Sequence, residues 1–191
     1  MNAVGTVPWL AAWAGRAGFR YAPEPDERWM RAWEPYATLR VPLRYEHALE
    51  ATGEVGSLSI ARLVAETGLT AWIAIAQDVR VKAHAALSSD RGSAFAEPAE
   101  LVPLPRRATG DPLFDRAFAS FAPGDADLAA AANDRVRRLA LSWQTPVHVE
   151  LRPGGFVVAP VALGADEGSL TWLVRAVHAL GERAAVDLPR T

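Results

Sequence analysis

Apolar residues recur at two different spacings in the first part of the chain. Trp9 and Trp13 stand four residues apart, as do Trp29 and Trp33, which predicts two short helices that each carry an aromatic face. From Leu39 the spacing becomes two. One face of this segment then carries Leu39, Val41, Leu43, Tyr45, His47 and Leu49, and the other carries Arg40, Arg44, Glu46 and Glu50. Such alternation predicts a half-buried strand.

Three further segments continue the two-residue spacing, at 57–64, 70–76 and 79–87, with Arg80, Lys82 and His84 on the polar side of the last. Short connections that carry turn residues separate them. Strands joined so closely usually pair with their neighbours in the chain. We therefore predict a four-stranded antiparallel meander with one solvent-exposed face.

The second part of the chain has a different order of elements. The proline-bearing stretch 88–111 follows neither period and is predicted to be a long connection. An aromatic-bearing strand is predicted over 114–121, followed by one amphipathic helix within 125–143. A hairpin with a Pro-Gly-Gly turn and a last helix, capped by Asp166 or Ser169, complete the pattern.

Helices grouped with a mostly antiparallel sheet define a two-layer α+β fold. The length of 191 residues suits a single domain over 1–191. Within it we distinguish tryptophan-rich helices with a β-meander (1–87), the connection (88–111) and a strand–helix–hairpin–helix part (112–187). The sheet is expected to be covered by helices.

Composition excludes several classes of function. The chain has 20 Lys and Arg against 22 Asp and Glu, a net charge of −2, whereas nucleic-acid binding favours a basic domain. It has no cysteine, which excludes disulfides, thiolate nucleophiles and thiolate metal ligands. No transmembrane segment or signal peptide is predicted, so the expected location is the cytoplasm.

Reactive constellations are also sparse. The four histidines are isolated from one another: His47, His84, His148 and His178. No motif for a metal, a nucleophilic serine or a phosphate-binding loop is present, so neither a metal nor another cofactor is predicted. The remaining catalytic candidates are His148, Glu150 and Arg152. They alternate along one strand and are predicted to lie about 7 Å apart on its solvent-exposed face.

One short segment carries a resemblance to known proteins, and it reads Thr109-Gly110-Asp111-Pro112-Leu113-Phe114-Asp115-Arg116-Ala117-Phe118. With the elements around it, this segment resembles a myxobacterial-type family of uncharacterised bacterial α+β proteins. That family has a tryptophan-bearing N-terminal helix, a β-meander, a Thr/Ser-Gly-Asp-x-x-Phe-Asp segment and a strand–helix–hairpin–helix ending. The resemblance extends from about Trp9 to Val186. It implies the same architecture and, because the family has no assigned activity, no catalytic residue.

Two hypotheses for function remain. The first is a non-catalytic module that binds another protein or itself, with Trp9, Trp13, Trp29 and Trp33 as interface or core anchors, since tryptophan is enriched at such anchors. Contact with a membrane surface is not expected, because the first helix has only one basic residue. The alternative is a small-ligand binder or an enzyme whose pocket lies between the two halves, beside His148, Glu150 and Arg152.

Overall fold

An antiparallel sheet organises the chain. The computed structural model describes residues 4–26, 43–53, 56–65, 68, 70–81, 83–89 and 104–184. Its strands are β1 Arg20–Ala22, β2 Arg44–Thr52, β3 Ser57–Val64, β4 Thr70–Val79, β5 Ala85–Ser88, β6 Arg106–Arg107, β7 Ala119–Phe121, β8 Val147–Arg152 and β9 Gly154–Pro160. Across the sheet the order of these nine strands is β1-β2-β3-β4-β9-β8-β5-β7-β6.

Helices from both ends of the chain pack against one face of this sheet. The described helices are α1 Pro8–Arg16, α2 Pro112–Ala117, α3 Asp125–Ala131, α4 Asp134–Ser142 and α5 Glu167–Arg183. The carboxylate of Asp166 caps α5 by accepting a hydrogen bond from the backbone N–H of Ser169. Helices on an antiparallel sheet form an α+β fold, so the predicted fold class is confirmed.

The order of the strands differs from the predicted four-stranded meander. Strands β2, β3 and β4 are consecutive neighbours as predicted, but the β8–β9 hairpin lies between β4 and β5. The predicted strand over 79–87 was also too long, since Val79 ends β4 and β5 begins only at Ala85. A bulge between Gln77 and Val79 ends the regular pairing of β4 with β9.

Two predictions for the second part of the chain were wrong. Residues 114–117, the first part of the strand expected over 114–121, instead belong to helix α2, because Asp111 caps this helix and Pro112 fits its first turn. The single helix expected within 125–143 is two helices. Asn133 interrupts it and caps α4 by accepting hydrogen bonds from the backbone N–H groups of Arg135 and Val136.

Strand β2 departs from strict alternation at one residue. His47 has a positive φ of 55° within a bulge between Glu46 and Leu49. The extra residue reverses the faces, so that Tyr45 and Leu49, predicted to share a face, belong to clusters on opposite sides of the sheet. The predicted helix with Trp29 and Trp33, and the stretch 90–103 of the predicted connection, lie outside the described residues.

Both faces of the central strands are buried. The main core joins one face, with residues such as Ile60 and Phe156, to Leu173 and its neighbours on the helices. On the other face, nine residues form a second buried cluster: Tyr45, Ala48, Ala61, Leu63, Ala71, Ile73, Ile75, Val157 and Ala159. The prediction of a solvent-exposed face for the meander was therefore wrong.

Candidate functional site

Of the four predicted tryptophan anchors, two are described, and both pack in the helical layer. Trp13 is 6% exposed and stacks on Phe19, with ring centroids 6.0 Å apart. Its Nε1–H donates to Thr171 Oγ1 at 3.4 Å, which links α1 to α5. Trp9 is half-buried against the same core. These two side chains therefore stabilise the fold rather than present an aromatic surface, and Trp29 and Trp33 lie outside the described residues.

The catalytic candidates on β8 do not lie at the surface. His148 is 2% exposed and Glu150 is 0% exposed, so their predicted exposed face was wrong. Strand β8 lies between β9 and β5, and the residues directly opposite Glu150 are Val157 and Ala86. Alternation along the strand separated its two faces correctly, but it could not show that both faces are covered.

His148 and Glu150 nevertheless form a buried ionisable contact. His148 Nε2 lies 3.8 Å from Glu150 Oε2, while Arg152 is half-buried at the end of the strand. Such a pair costs free energy to bury unless its groups are satisfied. Neither of the two surface depressions described below includes any of these three residues. The contact is therefore a feature of the sheet interior, away from both depressions.

The Thr-Gly-Asp-x-x-Phe-Asp segment forms a self-contained hydrogen-bonded cap. The carboxylate of Asp115 accepts hydrogen bonds from Thr109 N and Thr109 Oγ1, both at 2.8 Å, and from Gly110 N at 3.1 Å. Burial raises the pKa of Asp115, but these hydrogen bonds outweigh it and hold the pKa below its usual value. Asp111 caps α2, and Phe114 lies fully buried beneath it. The motif is therefore explained by local structure.

The larger described depression, of about 680 Å³, lies beside this segment and is lined in part by Thr109, Asp125 and Arg137. The Arg137 guanidinium bonds Asp111 Oδ2 at 3.3 Å, Ala132 O at 2.6 Å and Asp134 Oδ1. Three of the five N–H groups of Arg137 are therefore engaged in holding α2, α3 and α4 together. Arg135 also lines this depression, and it lines the smaller depression described below as well.

A second contact between polar side chains, Tyr21 and His47, lies where α1, β1 and β2 meet. The Tyr21 hydroxyl accepts a hydrogen bond from Val7 N at 3.1 Å and lies 2.9 Å from His47 Nδ1. Since the hydroxyl proton is then available for His47, the geometry favours a neutral ring that accepts at Nδ1. Burial is the main cause that lowers the pKa of His47, and the positive charge of Arg62 lowers it further. The negative charge of Glu46 acts in the opposite direction.

A smaller depression, of about 470 Å³, runs along the exposed side of the helical layer. We call it the α4–α5 groove. Arg135, Arg138, Leu139 and Ser142 of α4 line it together with Glu182 and Arg183 of α5. The four α4 residues share one helix face because they recur at helical spacing. Asn133 Nδ2 donates to Arg183 O at 3.3 Å, so the start of α4 lies beside the end of α5.

Two partly exposed tryptophans lie next to the end of this groove. Trp143 follows Ser142 directly and meets Trp172 of α5 edge to face, with centroids 6.1 Å apart and an interplanar angle of 71°. Both rings are half-buried against the main core. Arginine and tryptophan are the residue types that most often dominate binding at protein interfaces. The α4–α5 groove with this pair is thus the described surface best suited to a partner.

Comparison with known proteins places the fold. The chain is similar to a mycobacterial transport factor. A crystal structure of the mycobacterial trehalose monomycolate transport factor A, TtfA, matches 95% of this chain and 95% of its own chain, with a TM-score of 0.60. The two sequences are 13% identical, so the likeness to TtfA shows the fold alone. No family model and no curated protein matches the chain in sequence.

Two further observations concern membrane-spanning helices and metal sites. In the described ranges, no helix combines the length and the apolar character needed to cross a membrane. Among the same residues, no group of three or more histidine, aspartate or glutamate side chains is placed to hold a metal ion.

The tryptophan pair at the groove was not recognised from the sequence as a binding feature. A signal was available, however. The core stripe of α5 runs through Leu170, Leu173, Val177 and Leu180, and Trp172 lies about 100° away from Leu173 around the helix. A tryptophan beside the core stripe is a candidate for partial exposure.

Proposed function

We propose that this chain is a non-catalytic, cytoplasmic module that binds a partner protein through the α4–α5 groove and the adjoining pair Trp143 and Trp172. The observation that carries this proposal is the combination, along the two neighbouring helices α4 and α5, of three groove arginines with two half-buried tryptophans. Interfaces combine such anchors with a polar rim.

The positions of the other candidate residues in the fold support the same function. His148 and Glu150 are buried in the sheet, and Arg137 holds three helices together. These positions and contacts give each of the three residues a structural role. TtfA, the protein of similar fold, is named as a transport factor, which supports the proposed non-catalytic role of this chain.

Site-specific photo-crosslinking in the native cells tests this proposal. A benzophenone-bearing phenylalanine is introduced at Ser142 or at Glu182, one on each side of the groove, and separately at Leu113. Leu113 lies on α2 and is 65% exposed, so it serves as an accessible control. We expect one discrete adduct from both groove positions and none from Leu113. A mass of two chains would identify the partner as a second copy. Equal labelling from Leu113, or no adduct from the groove, contradicts the proposal.

The alternative function, a small-ligand binder or enzyme with its site between the two halves, would use the ionisable pair His148 and Glu150, whose side chains lie 3.8 Å apart. Under that candidate, a ligand from the cell extract raises the melting temperature of the wild-type chain. The Glu150→Gln variant, which keeps the shape of the side chain, would lose this increase. An unchanged increase in the variant argues against a site at Glu150.

A further inference from the structure

The α4–α5 groove brings three arginines together at one place on the described surface. Some other arginines are held by a carboxylate, as Arg16 is by Glu167 at 2.6 Å and Arg107 is by Asp125 at 2.8 Å. Across the described residues, the Arg135 guanidinium has neither a hydrogen-bond nor an ion-pair partner. The N–H donors of this side chain therefore have no direct partner within the described fold, although Asp125 and Asp134 line the adjoining larger depression together with Arg135.

The neighbouring arginines leave most of their donors available as well. Arg138 donates from Nε to Asp134 O at 3.1 Å, and Arg183 donates from one terminal nitrogen to Ala179 O at 2.9 Å. Both acceptors are backbone carbonyls of the same helices. The one acidic residue that lines the groove, Glu182, lies 3.8 Å from Arg183 and is 79% exposed. Each guanidinium carries five N–H groups, so the groove retains several outward donors.

We infer that the partner presents an acidic segment to this groove, with carboxylates on Arg135 and Arg138 and an apolar side chain toward Leu139 and the tryptophans. This inference rests on the proposed function. Guanidinium groups bind carboxylates in a forked, charge-assisted geometry. Arg135 and Arg138 are separated by about 4.5 Å along the helix axis, since each residue rises about 1.5 Å. Neighbouring acidic side chains of one segment span that distance.

A protein segment fits the groove better than the surface of a membrane. Recognition of anionic lipids usually requires clusters of about four to eight basic residues, whereas this groove has three arginines and a glutamate. The chain as a whole carries a net charge of −2, which is repelled by an extended anionic surface. The concave groove, with Leu139 in its wall, instead suits a narrow segment of mixed acidic and apolar character.

A peptide-binding measurement on the full chain tests this inference. The probe is a fluorescent peptide built from Glu-Glu-Leu repeats, compared with its Gln-Gln-Leu counterpart and with vesicles of mixed anionic and neutral lipids. We expect the glutamate peptide to bind at least tenfold more tightly than the glutamine peptide. We also expect its affinity to fall at least tenfold between low and high salt, because the contacts are between charges at an exposed surface.

Paired variants locate the binding. The double variant Arg135→Gln with Arg138→Gln should weaken glutamate-peptide binding at least tenfold. Arg80→Gln with Arg106→Gln removes the same charge from two exposed residues on the sheet and should change affinity less than twofold. Equal losses in both variants, equal binding of both peptides, or binding of vesicles but of neither peptide overturns the inference.

Photo-crosslinking separates a failure of this inference from a failure of the proposed function. If the adduct from Ser142 persists in the Arg135→Gln, Arg138→Gln chain, the module binds a partner there but not through its acidic groups. If the wild-type chain gives no adduct, the proposed function itself fails. Loss of the adduct in the double variant alone supports both.

Discussion

His47 shows how one residue can store strain and a pH-dependent free energy in the same place. Its positive φ of 55° lies in a region that costs a side-chain-bearing residue about 1–3 kcal/mol. The bulge that imposes this conformation directs the ring to Tyr21, whose hydroxyl connects β2 to the start of α1. The strain is thus coupled to a contact between three elements.

The pKa of His47 predicts how stability changes with pH. Because burial lowers the pKa of His47 in the folded chain, the unfolded chain binds more protons below about pH 6.5, the ordinary histidine value. Stability should therefore be complete above that pH and fall as the pH decreases toward the folded value. Burial also lowers the pKa of His178, which adds to the decrease. Urea unfolding between pH 7.5 and pH 5 measures it.

The variant His47→Asn isolates the first contribution. Asparagine tolerates positive φ and can accept the Tyr21 hydroxyl, but it does not titrate. We expect a shallower loss of stability on acidification than in the wild type, with the part due to His178 retained. An unchanged slope in His47→Asn would contradict the assignment.

Glu150 carries a second prediction at the level of single residues. Its carboxyl group is fully buried beside His148, so its removal leaves a buried polar neighbour less satisfied, at a cost of about 1–3 kcal/mol, and adds a cavity. Glu150→Ala should lower the free energy of unfolding by about 3 kcal/mol. Glu182→Ala removes an exposed ion pair and should change it by about 0.5 kcal/mol or less. Similar losses in both would contradict the burial of Glu150.

Among the elements, the turn between β2 and β3 depends on a close approach to β4. Gly56 has a φ of +75°, and a Cβ placed there would lie 2.5 Å from Val79 Cγ1 and 2.7 Å from the carbonyl oxygen of Gln77. Gly68 has nearly the same φ, +80°, but a Cβ there meets no atom of the described residues within 4 Å. A comparison of the two glycines therefore distinguishes the cost of backbone strain from the cost of a steric clash.

This difference predicts unequal effects of the same substitution. Gly68→Ala should cost about 1 kcal/mol, from the left-handed conformation alone. Gly56→Ala adds a clash with backbone and core atoms and should cost about 3 kcal/mol in total. Chemical denaturation of both variants gives the comparison. Equal losses would mean that the turn moves away from β4 at little cost.

Elements with a strong local pattern could be predicted from the sequence, as α5 and the β8–β9 hairpin show. Helix α2 was missed although its signals were present. Phe114 and Phe118 stand four residues apart and stack at 4.6 Å, and Asp111-Pro112 provides a cap followed by a first-turn proline. The α4–α5 groove was beyond sequence reasoning, because it depends on the antiparallel packing of two helices that are distant in the chain.

At the scale of the whole molecule, the order of the strands is the feature that local sequence patterns do not determine. Proximity in the chain favours pairing between β4 and β5, yet the hairpin formed by residues 147–160 occupies that position. Alternation shows which side chains share a face but contains no information about which strand lies beside which. This insertion places β8 inside the sheet, between β9 and β5, where His148 and Glu150 are buried.

Cysteine pairs introduced into this cysteine-free chain test the strand order directly. Ile75 of β4 lies directly opposite Val157 of β9, whereas β9 and β8 separate it from Ala86 of β5 on the same face. Adjacent strands are about 4.8 Å apart, so Ile75 and Ala86 should be about 14 Å apart, too far for a disulfide. Under mild oxidation, Ile75→Cys with Val157→Cys should form the bond, and Ile75→Cys with Ala86→Cys should not. Mass spectrometry after alkylation distinguishes the two, and the reverse result would restore the simple meander.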